Sequence, residues 1–286
     1  MNFTVLMCVY AEDSLEFFKR ALESCTADQT VKPTEVLIIR NGKVSDEIEQ
    51  YLDNVQSHDS TIHVIRLAHN VGLAAALNRG LKHVTTDWIA RMDADDISLP
   101  NRFELQTSFL RNHPDSADIT VLGTSLQEFT ETSPDKLEWH EKRMLPTSHD
   151  ELAKYARFQS PVHHPTVMIR TSALREVGGY PQDAGRFEDY LLWERLLLHG
   201  AFFANLSEVL LGYRVDSGAY TRRGGWAMLR DEVKLQKTFY KDGFTTLPLF
   251  IRNILVRGVY RLIPTGIKKP LYRLRTAVKN TSLGRS

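Results

Sequence analysis

Along the first hundred residues the spacing of apolar positions switches repeatedly between a strand pattern and a helix pattern. FTVLMCVY (3–10) is an apolar run that reads as a strand. SLEFFKRALESC (14–25) then sets Leu15, Phe18, Ala21, Leu22 and Cys25 at helical spacing. EVLIIRNG (35–42) reads as a second strand closed by a turn, 45–55 as a helix, IHVIRL (62–67) as a third strand, 72–83 as a small-residue helix and DWIARM (87–92) as a fourth strand. This βα succession predicts an α/β fold, a doubly wound and mainly parallel sheet flanked by helices. Ligands of such sheets sit in a crevice at the carboxyl ends of the strands.

Further on the pattern loosens. Residues 112–136 are rich in Pro, Asp, Ser and Thr around a strand, ITVLGTSLQEF (119–129), and 137–160 read as a basic and aromatic loop followed by a helix near 149–157. A strand over PTVMIR (165–170), a turn at EVGGYP (176–181) and a helix from about 188 to 199 complete this part. In LPLFIRNILVRGVYRLI (247–263), Ile251, Leu255, Val259 and Leu262 share one helix face while Arg252, Arg257 and Arg261 lie elsewhere, an amphipathic helix with a basic margin.

Composition narrows the class. The chain has 286 residues, 42% apolar and 25% charged, enough for one large or two modest domains with a real core. The formal charge of +1 conceals a gradient: residues 241–286 hold ten Lys and Arg against the single acid Asp242. The average makes no demand for nucleic acid, whereas the basic end suits a membrane surface, each cation near an anionic leaflet contributing roughly 1 kcal/mol. Cys8 and Cys25 have neither metal spacing nor a disulfide framework and read as reduced core thiols. The start lacks a basic n-region, and no run reaches the ~18–20 apolar residues that span a bilayer. The expected location is the cytoplasm, peripherally on the inner face of the membrane.

The chemistry gathers where the fourth strand ends. Asp93, Asp95 and Asp96 follow its apolar run, and capping the next helix would need one of them, not three. Two hard oxygen ligands at that point suit Mg²⁺ or Mn²⁺, which commonly holds a diphosphate as well. Asp96 reads as support or as a cap. A second acidic pair, Glu188 and Asp189, opens the helix at 188–199, where either the helix dipole or a catalytic need would favour it. In YTRRGG (220–225), Arg222 and Arg223 beside two glycines form either an anion-binding loop or a solvated basic turn. His163 and His164 lack the spacing of a chelating helix pair and read as packing residues.

FTVLMCVYAED, EVLIIRNG, NVGLAAALNRGL, ARMDADDISLPNRF, HHPTVMIR, VGGYP and FEDYLLWERLL resemble, in order, the motif blocks of the family 2 inverting glycosyltransferases with the GT-A fold. The wording is most similar to bacterial exopolysaccharide and O-antigen transferases of the amylovoran-biosynthesis type. The resemblance covers about residues 3–215. It implies that Asp93 meets the nucleotide ribose or the metal shell, that Asp95 binds the metal, and that Asp189 is the general base with Glu188 orienting it or the acceptor. Val9, Tyr10, Glu12 and Asn41 would line the base pocket, with Asn70, Gly72 and Asn78 in the next block. Ala11 stands where Asn is frequent, and Arg40 departs from the family's acidic pattern before Asn41. Asp216 stands where many relatives carry a His, a substitute metal ligand at best.

The resemblance further implies a UDP-sugar donor and a lipid-diphosphate-linked oligosaccharide acceptor. It divides the chain into a catalytic domain, 1–220, with a nucleotide-sugar half (1–110) and an acceptor half (111–220), and a basic amphipathic region, 221–286. Two rivals remain at this point. One is a haloacid-type phosphohydrolase with Asp93 as nucleophile, although that residue belongs near the chain start in such enzymes. The other is a non-catalytic module that binds nucleotide sugars.

Overall fold

The computed structural model describes residues 1–133, 136–215 and 225–262. The first half alternates strand and helix as the periodicity predicts: β1 (Phe3–Val9), α1 (Leu15–Ser24), β2 (Glu35–Asn41), α2 (Asp46–His58), β3 (Ile62–Leu67), α3 (Leu73–Leu81) and β4 (Trp88–Met92). β1 pairs in parallel with both β2 and β4, and β2 pairs in parallel with β3. A short β5 (Ile97–Ser98) and α4 (Arg102–Asn112) follow the aspartate turn.

The second half continues the same sheet. It comprises β6 (Ile119–Ser133), β7 (Lys136–Arg143), α5 (His149–Tyr155), β8 (Met168–Arg170), α6 (Thr171–Glu176), α7 (Glu188–Leu198), β9 (Phe202–Arg214), α8 (Trp226–Lys241) and α9 (Leu247–Leu262). The strand order is β3-β2-β1-β4-β8-β6-β9-β5, with β7 on the side of β6. β8 runs antiparallel to both β4 and β6, so the sheet is mixed there, and β6 and β9 return to the common direction. Expectation and structure differ at β7 and β9. The segment 137–160 opens with a strand, not a loop, and β9 escapes a periodicity reading because Asn205, Ser207 and Glu208 interrupt its apolar run.

Alternation along β1 divides the interior. Phe3, Val5, Met7 and Val9 face a core shared with α1, α2 and α4, while Leu6 and Cys8 face a second core that collects α3, α7 and α8. Cys8 and Cys25 are free and buried, and burial pushes both thiols up to about 12, which keeps them protonated and unreactive. A Cβ on Gly80 would come within 2.7 Å of Leu6 Cδ1, so the glycine lets α3 seat directly on β1 and β2. That seating fixes where the turn before α3 meets the end of β2. Among the described residues no helix is long and apolar enough to cross a membrane.

Candidate active site

The carboxyl ends of β1, β2 and β4 lie side by side because their pairing is parallel and in register. At the end of β2, the Asn41 amide donates to Asn70 Oδ1 (3.1 Å) and its oxygen accepts from the Val71 N–H (2.9 Å). Asn70 Oδ1 also accepts from the Gly72 N–H at 2.9 Å. Gly42 has φ +83°, and a Cβ there would lie 2.5 Å from the Asn70 nitrogen. Asn41, Asn70 and Gly72 therefore form one bonded turn. Asn41 is buried with each amide atom making one bond, so it shapes this turn and keeps one N–H and one lone pair for further contacts. Arg40 likewise turns inward, donating to Gly42 O (2.8 Å) and Leu67 O (3.0 Å).

The structure separates other predicted residues from this group. Asn78 gives its whole amide to the Tyr180 backbone, with two bonds of 2.7 Å that join α3 to the GGYP turn. Val9 is fully buried, leaving only its main chain for a ligand. Tyr10 donates through its N–H to Asp13 Oδ2 (2.8 Å) and through its hydroxyl to the exposed Glu12 (3.4 Å). Asp216, Arg222 and Arg223 lie outside the described residues. His163 bonds the Arg143 carbonyl (3.2 Å), and His164, buried against Tyr180 and Trp193, bonds the Tyr180 hydroxyl (3.1 Å). Burial holds His164 well below the usual imidazole range, so it is a neutral packing residue.

The aspartate turn follows β4 directly. Arg91, itself buried, donates to the Met92 carbonyl and holds Asp93 Oδ1 at 2.5 Å. Asp95 opens to solvent, whereas Asp96 is buried and accepts the Arg214 N–H at 2.9 Å. Asp96 is thus a support for the loop and not a helix cap; Asn101 occupies the cap position of α4. Arg214, from the end of β9, also donates through Nε to the Asp95 carbonyl (2.8 Å) and through Nη1 to Glu131 (2.5 Å), which in turn pairs with Arg20 (3.0 Å).

The charge balance of this corner is negative. Asp13, half-buried after β1, is pushed up to about 7 by desolvation, with Asp95, Asp93 and Glu12 adding to the rise. Asp95 is reachable from the crevice but closely surrounded, and desolvation followed by the charge of Asp93 brings it up to about 6. Desolvation likewise raises Asp96, with Asp95 and Asp93 contributing. Asp13, Asp93, Asp95 and Asp96 thus share a corner with Arg91, Arg102 and Arg214, and a hard divalent cation would relieve the remaining excess of carboxylates. Among the described residues no group of three or more His, Cys, Asp and Glu is gathered so that it could hold a metal ion by itself, so a cation here would take most of its oxygens from a ligand and water.

Across the crevice, Glu188 and Asp189 open α7. Asp189 Oδ1 accepts the Tyr190 N–H at 2.7 Å, and desolvation, then the charge of Glu188, raises its carboxyl to about 7. Glu188 is also raised, chiefly by desolvation. Both groups feel the charge of Asp93, which places the two acidic clusters in one electrostatic neighbourhood. A carboxylate poised near neutrality beside a cation-seeking corner can accept a proton while charge departs on the other side. Sequence reasoning passed over Asp13, Arg91 and Arg214. Asp13 carried the same signal as Asp93, an acid just past a parallel strand; the two arginines had none, since their partners come from other segments.

Comparison with known proteins bears on the family and the fold. The family model described as Glycosyl transferase family 2 matches residues 4–178. The chain is 35% identical over 272 residues to the UDP-Gal:alpha-D-GlcNAc-diphosphoundecaprenol beta-1,3-galactosyltransferase of Escherichia coli, covering 95% of each chain. It is 32% identical over 273 residues to the amylovoran biosynthesis glycosyltransferase AmsE of Erwinia amylovora, covering 94% of this chain and 97% of that one. Among solved structures, Staphylococcus aureus TarS 1-349 in complex with UDP-GlcNAc superposes with a TM-score of 0.64 at 17% identity over 90% of this chain and 72% of that one. The Pyrobaculum calidifontis mannosyltransferase PcManGT, in complex with GDP-Man and Mn²⁺, superposes with a TM-score of 0.60 at 17% identity over 97% and 73%.

Proposed function

The chain belongs to glycosyl transferase family 2 and is a glycosyltransferase of the GT-A fold, and from that premise we propose that it moves a hexose from a UDP-sugar to a lipid-diphosphate-linked glycan with inversion at the anomeric carbon. The observation that carries the reading is Asp189. It stands at the start of α7 with its carboxyl raised to about 7, in the field of the Asp93 cluster. The sequence likeness to a transferase whose acceptor is a diphosphoundecaprenol-linked GlcNAc supports the acceptor class. Synthesis of a surface polysaccharide at the inner face of the membrane follows from such an acceptor.

In this reading the acceptor hydroxyl loses its proton to Asp189 as its oxygen attacks the anomeric carbon. The bond from that carbon to the diphosphate oxygen breaks on the opposite face, its electron pair leaving with UDP. Glu188 orients the base or the acceptor. Asp95 would hold Mn²⁺ or Mg²⁺, which when bound stabilises the charge of the departing diphosphate. Asp93, held by Arg91, would meet the ribose or the metal shell, and the Asn41–Asn70–Gly72 turn would form the floor for the base. Asp96 and Arg214 fix the loop that carries Asp95. Arg222 and Arg223 are assigned to the diphosphate, and Asp216 to the metal shell, on sequence pattern.

The test is UDP release from UDP-glucose, UDP-galactose, UDP-GlcNAc and UDP-GalNAc with Mn²⁺ and a lipid-diphosphate acceptor. One donor should support turnover in the wild type, with Asp95→Ala and Asp189→Asn nearly inactive; equal rates in all three proteins would overturn the mechanism. Phosphate release from simple phosphomonoesters would favour the phosphohydrolase instead.

A further inference from the structure

The inward side of helix α9 mixes apolar contacts, Gly258 against Leu229 and Phe250 against Tyr240, with buried polar groups. Asn253, fully buried, donates to the Arg157 carbonyl (2.8 Å) and to Gln236 Oε1 (3.0 Å). Arg257 makes a two-pronged pair with buried Glu232 (2.5 and 3.0 Å) and donates to the Phe158 carbonyl (2.8 Å). The opposite side carries Leu247, Ile251 and Leu255, one helical turn apart, with Ile251 49% and Leu255 61% exposed. A helix that answers only to water buries its apolar stripe and shows its amides and guanidinium groups.

We infer that this outward apolar row is the surface on which the enzyme lies on an anionic lipid bilayer, an inference that rests on the acceptor being lipid-linked. Two observations select a bilayer over another occupant. The chain beyond α9, residues 263–286, carries six Lys and Arg and no acid, a composition that complements anionic headgroups. The helix is also tied to the catalytic helix: Arg257 lies 5.4 Å from the Tyr190 ring, and Tyr190 directly follows Asp189. A bilayer under α9 would therefore hold the end of α7 that carries the base near the membrane plane, where the diphosphate of a lipid-linked acceptor emerges.

The test uses the full chain and vesicles of phosphatidylcholine and phosphatidylglycerol at 7:3, with pure phosphatidylcholine as reference, in flotation or cosedimentation. The wild type should bind the anionic vesicles, more weakly at high salt. Ile251→Ser with Leu255→Ser should lower its partition tenfold or more while leaving UDP release onto a detergent-solubilised acceptor unchanged. If the double substitution melts early, the single Leu255→Glu variant carries the comparison. Binding by the variants equal to wild type, or no binding by the wild type, would overturn the inference. So would a dimer in sedimentation velocity that the substitutions dissolve while vesicle binding persists, since a second copy would then cover the row. Neither donor nor acceptor is present in the vesicle assay, so binding without glycosyl transfer would count against the catalytic reading alone.

Discussion

Replacing Asp189 by Asn separates what the residue does for catalysis from what it costs the fold. Asn keeps the oxygen that accepts the Tyr190 N–H and loses only the ability to take a proton. Turnover should fall by about 10²–10⁴-fold, the usual contribution of a positioned general base. Stability should move the other way. The Asp189 carboxyl rises from 3.8 to about 7 on folding. The native state therefore binds more protons than the unfolded chain between those values, and stability falls as pH rises through that window. At about 1.36 kcal/mol per unit, a shift of about 3 units gives a ceiling near 4 kcal/mol, and partial exposure brings this to about 2 kcal/mol. Asn carries no charge at any pH, so the variant should melt higher than wild type at pH 8 and level with it near pH 4. Wild-type turnover should decline as pH drops below about 7, where the base is protonated. Melting curves at the two pH values and a pH profile of UDP release test both halves. A variant keeping more than a tenth of wild-type turnover, or a melting difference independent of pH, would refute the reasoning.

Other sites give sharper single outcomes. Asp95→Ala should remove the dependence of UDP affinity on Mn²⁺ in calorimetry, and EDTA should reduce wild-type binding to the level of the variant. Gly42→Ala forces a Cβ against the Asn70 backbone at positive φ, so it should destabilise by about 1–3 kcal/mol and weaken nucleotide binding in the same preparation. Glu232→Gln leaves Arg257 buried without its counter-charge and should cost about 3–5 kcal/mol in denaturant titration, more than Glu232→Gln combined with Arg257→Met.

What could be read from the chain and what could not divide along contact range. β1 to β4 and their helices were legible because each is a local pattern, and the aspartate turn was legible because β4 stops there. Asp189 was legible as an acid opening a helix with a buried stripe. The reversal at β8 was not, since three residues carry no directional signal and their pairing with β4 and β6 is settled by tertiary contact. Arg214 was invisible for the same reason: its meaning lies in Asp95 and Asp96, more than a hundred residues earlier. The amphipathic pattern of α9 was read, but not which side it buries, because Asn253 and Arg257 find their partners only in the folded domain.

The tie between Arg214 and the aspartate turn also bears on when the protein becomes an enzyme. Asp95 and Asp96 leave the ribosome early, yet β5 finds its partner and Asp96 its donor only in β9. The Asn41–Asn70–Gly72 turn closes with bonds from the first half of the chain alone, whereas the aspartate turn waits for Arg214. The aspartate turn is therefore a non-local feature, complete only when the last strand of the sheet has joined the first four.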